Sequence, residues 1–393
     1  MIRLAHPRLA HPRRPARMST SAPSVLAVGT AVPPYRVSQG ALRDWFAAQE
    51  GTDRLSARLI RAVFDSSAID ERHSVLTGLA GSAAVGDAGE FADAGGALLS
   101  PSTRERNDVY RREAPVLSAA AATDALARAG VAASEVTHVV TVSCTGLFAP
   151  GLDYRLVRDL GIATTVERFH IGFVGCAAAF PALRAADHIC RAQPDAVVLV
   201  VCVELCSLHI RSSTDPEQIV ASAVFADGAA AAVVSARPRE TPGAQLEVGA
   251  FSTTITSTGE EDMDWTVGDE GFVMRLSADV PRIVGGEVRA AFAQAFGADA
   301  VPAEAADAWA VHPGGRSVLD RVQHGLELPE AMLDASRAVL REQGNMSSAT
   351  VLFILQRLLD DSSLGDGARI VGLAFGPGLT VETASFRRRD AVR

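Results

Sequence analysis

A layered α/β fold is what this 393-residue sequence predicts, on three observations. Strand-like and helix-like segments alternate from Val25 almost to the C-terminal end. The stretches AVVLVVCVEL (196–205) and AAAAVVSA (229–236) are near-continuous apolar runs. Such runs read as strands buried on both faces, as in layered folds. Hydrophobic residues make up 48% and charged residues only 21%. A chain of this length and composition can bury two or more domain-sized cores.

The elements follow in order. The N-terminal stretch MIRLAHPRLAHPRRPARMSTSAPS repeats LAHPR in tandem and is rich in Arg and Pro. It lacks the apolar centre of a signal peptide. Residues 1–23 are expected to be a disordered tail, or to include codons upstream of a start at Met18. VLAVGTAV (25–32) reads as a strand and SQGALRDWFAAQE (38–50) as a helix. The Gly/Ala-rich stretch 77–99 reads as a surface excursion. PVLSAAAATDALARAG (115–130) is a small-residue helix ending at a glycine cap. Strands are expected at 137–144 and 166–173, and a helix at 178–192. After the two apolar strands, the composition breaks at RPRETPGAQ (237–245). That break separates an N-terminal half (24–240) from a C-terminal half (241–393). The second half reads as a helix at 279–296, a strand at 308–312, and helices at 314–326, 329–343 and 346–361. Strands at 369–375 and 379–386 close the chain around a GPG turn. No internal repeat is visible in the sequence, but in both halves a strand delivers a reactive residue at its end and a helix begins.

Composition excludes several chemistries. The net charge is 37 − 46 = −9, which argues against nucleic acid as a partner. No apolar run is long enough for a membrane span. All 37 basic residues are arginine. Without lysine there is no Walker A phosphate loop, no pyridoxal-phosphate aldimine and no lysine Schiff base. The five cysteines are Cys144, Cys176, Cys190, Cys202 and Cys206, with no CxxC spacing. An odd count and no secretion signal favour free thiols in the reducing cytoplasm. Cys202 and Cys206 lack a second ligand pair for zinc.

Three residues stand out as chemistry. Cys176, in GFVGCAAAFP, follows a strand and precedes a helix. Helix N-terminal amides then favour the thiolate, and the flanking Gly and Ala admit a substrate. The competing reading is a packed core cysteine. His312, in VHPGGRS, ends a strand before a Pro-Gly-Gly turn, where a general base or an oxyanion donor would sit well. A loop histidine satisfied by backbone is the alternative. Asn345, in EQGNMSSATVLF, is first of all a helix cap, and second an uncharged donor for a developing enolate. The spacing 312 − 176 = 136 also fits a papain-like protease, but Gly-Ser-Cys-Trp is absent around Cys176.

Taken together, these motifs resemble those of the type III polyketide synthases, in the chalcone- and stilbene-synthase-like branch of the thiolase superfamily. FVGCAAAF resembles the family's nucleophile turn, VHPGGRSVL its histidine motif and GNMSSATVLFIL its asparagine motif. FGPGLTVET, with Gly376, Pro377 and Gly378, resembles the loop that shapes the cyclisation pocket. VFADGAAA carries Phe225, matching a phenylalanine at the active-site mouth, and CTGLFAPGLDYRL resembles the loop near the dimer interface. The resemblance spans about residues 24–387. It implies a thiolase-like fold of two duplicated αβαβα halves in a five-layer core, assembled as a homodimer. It implies that Cys176 takes a starter acyl group from CoA, and that His312 and Asn345 hold the malonyl-CoA thioester carbonyl while CO2 leaves. His312 would also keep Cys176 as thiolate by charge pairing. Acyl-CoA and malonyl-CoA are the substrates, and no further cofactor or metal is implied.

The departures from the plant members are specific. The family's CoA tunnel commonly carries lysines, and Arg58 and Arg61 are read as substitutes. Cys144, Cys206 and His209 match lining positions that often carry hydroxyls, and Trp265 falls where the family has a small residue. Met274 replaces a second mouth aromatic. These changes resemble bacterial members and weigh against a 4-coumaroyl starter. A fatty acyl starter giving an alkylpyrone or alkylresorcinol is the expectation, with a malonyl-primed route to a small polyhydroxy-aromatic as the alternative. The rival activities are a single condensation of the ketoacyl synthase III kind and a catalytically idle acyl-CoA binder.

Overall fold

The computed structural model of the chain describes residues 22–79, 91–93, 95–237 and 242–391. Nearly all of the expected N-terminal tail, much of the 77–99 excursion and part of the 237–245 break lie outside the described residues.

The first half begins with β1 (Ser24–Ala31), the short β2 (Tyr35–Ser38), α1 (Gln39–Ala47), α2 (Arg54–Ser66) and β3 (Glu71–Ser74). It continues with α3 (Thr103–Ala129), β4 (His138–Ser143), α4 (Leu152–Asp159), β5 (Glu167–Gly172) and α5 (Ala179–Ala192). It closes with β6 (Val197–Leu205), α6 (Pro216–Val224) and β7 (Asp227–Ser235). The second half runs β8 (Gln245–Ile255), β9 (Met263–Gly268), β10 (Gly271–Leu276), α7 (Val280–Phe296) and α8 (Pro302–Ala305). It ends with β11 (Ala308–Val311), α9 (Arg316–Gly325), α10 (Asp334–Gln343), α11 (Thr350–Asp360), β12 (Arg369–Gly376) and β13 (Thr380–Arg389).

Nine strands form one hydrogen-bonded order, β11-β12-β13-β8-β1-β7-β6-β4-β5. The two halves join at β1 and β8, which pair only at Ser24↔Glu247 and Val25↔Leu246. Outward from that junction each half repeats one pattern: antiparallel, antiparallel, parallel. The duplication is therefore a repeat of topology. Among the described residues of the second half no strand matches β5; at that point of the chain Asn345 makes an isolated parallel bridge to Phe225.

Alternation along the strands explains the layers. On β7, Ala230, Ala232 and Val234 face one core while Ala229, Ala231 and Val233 face another. Both faces are covered, which is why the run shows no polar alternation. α3 covers the outer face of the first half. α5 and α11 lie in the central core between the halves, and α7 covers the outer face of the second. This is the five-layer arrangement expected. Ala178, Ala179, Ala182 and Ala186 of the α5 segment are fully buried, and small side chains let that helix lie between two sheets. Phe180 is buried beside them, and truncating such a ring to Ala costs about 3–5 kcal/mol.

Some elements differ from expectation. α3 begins at Thr103, not at 115, because Ser102 and Glu105 form a capping box that starts the helix in its polar stretch. α2, α4, α6 and the β9–β10 hairpin were not anticipated.

Candidate active site

Three turns deliver the reactive side chains. Cys176 sits in a 3-10 turn, Gly175–Ala177, between β5 and α5. Gly175 has φ 67°, and a Cβ there would lie 2.3 Å from Pro377 Cδ, so only glycine fits. His312 follows β11, and its backbone N–H donates to the Leu373 carbonyl at 2.7 Å. Asn345 is tied on both sides: its N–H donates to Val224 O at 2.9 Å, and its carbonyl accepts from Ala226 N at 2.8 Å.

Asn345 makes the cap that its motif suggested, and its amide also bonds the Cys176 side chain. Its Oδ1 accepts from the Ser347 N–H at 2.9 Å, an Asx-type cap over the turn that leads into α11. That bond occupies the oxygen and leaves the amide NH2 as the donor. The Cys176 thiol is directed at Ser347 Oγ, 3.6 Å away. His312 is 1% exposed, and neither ring nitrogen has a protein partner. A buried histidine without partners is costly unless something else meets it.

Burial acts on both members of the pair. It pushes the Cys176 thiol up to about 12, against smaller lowering contributions from Ser347 and Asn345. It pushes His312 down to about 3. Burial thus works against charge on each group taken alone.

Cys176, His312 and Asn345 line one cavity of about 540 Å³ together with Phe225, Met263, Met274 and Phe375. The exposed side chains of Arg282, Arg316 and Arg321 line it as well, so it runs from a buried end to an arginine-bearing rim. Arg58 and Arg61 do not line it; they lie exposed on α2, whose Val63 and Ser66 do, as does Ser67 just after it. The sequence reading did not single out Arg282, Arg316 or Arg321.

Beyond Cys176 the space is small. A pocket of about 20 Å³ is lined by Cys144, Cys206, Trp265 and Pro377, and shares Phe225 and Met274 with the main cavity. A second, of about 30 Å³, adds His209 and Phe272. Trp265 and Met274 are cross-strand partners on β9 and β10. The Trp265 Nε1–H donates to Cys144 O at 2.7 Å, which pins the indole across the space. Cys144 Sγ accepts from the Gly175 N–H at 3.2 Å. Gly376 packs against the nucleophile turn, where a Cβ would lie 2.8 Å from Val174 O, while Gly378 has φ 67° and no neighbour within 4 Å.

Glu204 was not anticipated. It is fully buried on β6 and accepts from Ser348 Oγ at 2.5 Å, Thr145 Oγ1 at 2.9 Å and Cys144 N at 3.0 Å. Burial raises it to about 7. The signal was present: one carboxylate inside an apolar strand.

Two family models match the chain: the chalcone and stilbene synthases' N-terminal domain over residues 11–238, and their C-terminal domain over 247–388. The chain belongs to the chalcone and stilbene synthase family. Similar solved structures agree. The type III polyketide synthase domain of Steely1, a type I/III hybrid from Dictyostelium, is 28% identical with a TM-score of 0.85, over 94% of this chain and 100% of that one. PKS-I from the brown alga Ectocarpus siliculosus is 28% identical with a TM-score of 0.84, over 94% and 98%. A mutant of CsyB is 27% identical with a TM-score of 0.81, over 93% and 100%. The chain is thus a polyketide synthase of the acyltransferase class. Among the described residues no helix is long and apolar enough to cross a membrane, and no group of three or more His, Cys, Asp or Glu could hold a metal ion.

Proposed function

We propose that this synthase takes an acyl starter from CoA onto Cys176 and extends it by repeated decarboxylative condensation with malonyl-CoA. Cys176 passes its proton to His312, the thiolate attacks the starter thioester, and CoA leaves with that proton. Malonyl-CoA then places its thioester carbonyl against His312 and the Asn345 amide. The bond to CO2 breaks, its electron pair forms the enolate held by those two donors, and the carbanion attacks the acyl-Cys176 carbonyl. The new C–C bond releases the thiolate for the next round. A dry cavity protects carbanion and thioester from water.

The observation that carries this reading is the convergence of Cys176, an unpartnered His312 and the Asn345 amide, bonded to the Cys176 side chain, at the buried end of one cavity. The arginines Arg282, Arg316 and Arg321 at the rim suit the phosphates of CoA. The assembly is a homodimer, and the reducing cytoplasm suits five unpaired thiols.

The starter is argued from the inner space. Pockets of about 20 and 30 Å³ hold a water or two each, not an alkyl chain. Trp265, pinned across them, narrows the space beyond Cys176, and a small malonyl-primed polyhydroxy-aromatic asks less of it than a fatty acyl chain does.

The test is product mass spectrometry with malonyl-CoA and a starter panel: none, acetyl, hexanoyl, palmitoyl and 4-coumaroyl. A product from malonyl-CoA alone supports the malonyl-primed reading. Alkylpyrones formed preferentially from palmitoyl-CoA would return the fatty acyl reading. A single condensation, or turnover only with an acyl carrier protein, would replace the iterative synthase by a ketoacyl synthase III activity.

A further inference from the structure

β3 buries alternate side chains, and the two it buries are Arg72 and Ser74. An inward strand face normally takes Val or Ile, and polar exceptions concentrate where function demands them. Arg72 is 4% exposed. Its Nη1 donates to the Ser222 carbonyl at 2.9 Å and to the Phe225 carbonyl at 2.5 Å. Its Nε and Nη2 have no protein partner. Its Cγ and Cδ pack on Gly344, where a Cβ would lie 2.9 Å from each. Gly344 has φ 72° and precedes Asn345.

Arg72 therefore touches both segments that meet at the bridge between Phe225 and Asn345. Those segments have no continuous strand to set their register. Asp227, two residues after Phe225, is the carboxylate that favours the charged guanidinium. It is held in turn by the Ser207 N–H and Oγ and the Val75 N–H, and Ser74 donates to Ser207. The strand that supplies Arg72 is thus sewn to the same loop from both sides.

We infer that Arg72 is a positioning residue for the condensation step: bound to the Ser222 and Phe225 carbonyls and packed on Gly344, it holds Phe225 and Asn345 in register at the buried end of the cavity. The inference rests on the reaction proposed above. Loading of Cys176 needs the thiol and His312, whereas decarboxylation and condensation also need the Asn345 amide in place. A displacement of about 1 Å at such a donor can cost on the order of 100-fold in rate.

The experiment separates the two half-reactions in Arg72→Met and Arg72→Lys. Acyl loading of Cys176 is followed by intact-protein mass with a starter thioester. Condensation is followed by CO2 release and product from malonyl-CoA. In Arg72→Met, loading should stay within about twofold while condensation kcat falls at least tenfold, with KM for malonyl-CoA little changed. Arg72→Lys, whose ammonium reaches one carbonyl, should show the same split at a severalfold loss. If Arg72→Met does not fold, the split in Arg72→Lys decides. Loading and condensation falling together, or neither falling, would overturn the inference. A wild-type protein that neither loads nor condenses would overturn the reaction itself and this inference with it.

Discussion

At Cys176 and His312, burial works against charge on each group; in the reaction proposed above, the attacking thiolate forms as the thiol passes its proton to His312. Asn345 can serve as donor because Ser347 N–H occupies its other end. Asn345→Ala should keep Cys176 loading and lower condensation kcat by about 10²–10³-fold. Loss of its cap should cost about 1 kcal/mol, read as a shifted urea midpoint. His209 gives the pH prediction. Its Nδ1 accepts from the Phe272 N–H at 3.0 Å, its Nε2–H donates to Thr145 O at 2.8 Å, and its ring stacks on Phe272. Burial lowers its pKa to about 3. An unfolded histidine titrates near 6.5, so below about pH 6.5 the unfolded chain binds one more proton than the native one. This contribution to stability is present above that pH and lost as pH falls towards 3. His209→Gln removes it. The stability gap between wild type and variant should narrow by about 1.4 kcal/mol from pH 7.5 to 5.5 in urea titrations. Glu204, raised to about 7, and Asp227, raised to about 6, act with the opposite sign, so the gap rather than the wild-type curve is the readout. An unchanged gap would mean that the native His209 protonates like an exposed one.

Between elements, the turn joining β12 to β13 packs directly on the turn that carries Cys176. Gly175 meets Pro377, and Gly376 meets Val174. Gly175→Ala should therefore destabilise by at least about 2 kcal/mol, from positive φ and overpacking together, and should slow Cys176 loading. Gly378→Ala shares the positive φ without the neighbour, so it should cost about 1 kcal/mol and load normally. Thermal unfolding and acyl loading measured on the two variants check the contrast. Elements with one strong local signal were legible: the apolar β6 and β7, and α11 after GNMSS. The β9–β10 hairpin was not, because MDWTVGDEGFVMRL is half exposed and its pattern is weak. It sets Trp265 opposite Met274 across the pair, which no single strand displays.

At the scale of the molecule, β5 is the edge of the nine-stranded sheet, yet it exposes Phe169, and Phe173 follows it, also exposed. An open edge strand that presents an aromatic ring invites pairing with another chain. Phe169→Glu should convert the expected dimer to monomer in sedimentation at micromolar concentration; a wild type that sediments as a monomer would remove the dimer from the proposal. By itself the sequence determined the order of most strands and helices, the layered class, the chemistry excluded by having no lysine, and the three candidates for reactive residues. Those properties are local: side-chain periodicity, turn residues and motif chemistry are written over a few neighbouring positions. Only the tertiary structure brought Cys176 and Asn345, 345 − 176 = 169 residues apart, to the end of one cavity with His312. It also placed Arg282, Arg316 and Arg321 at the rim instead of Arg58 and Arg61, closed the inner space with Trp265, and set Arg72 beneath Phe225. Which face of a helix meets a cavity, and which carbonyl a buried guanidinium reaches, depend on packing between distant segments, and that packing is decided when the layers close on one another.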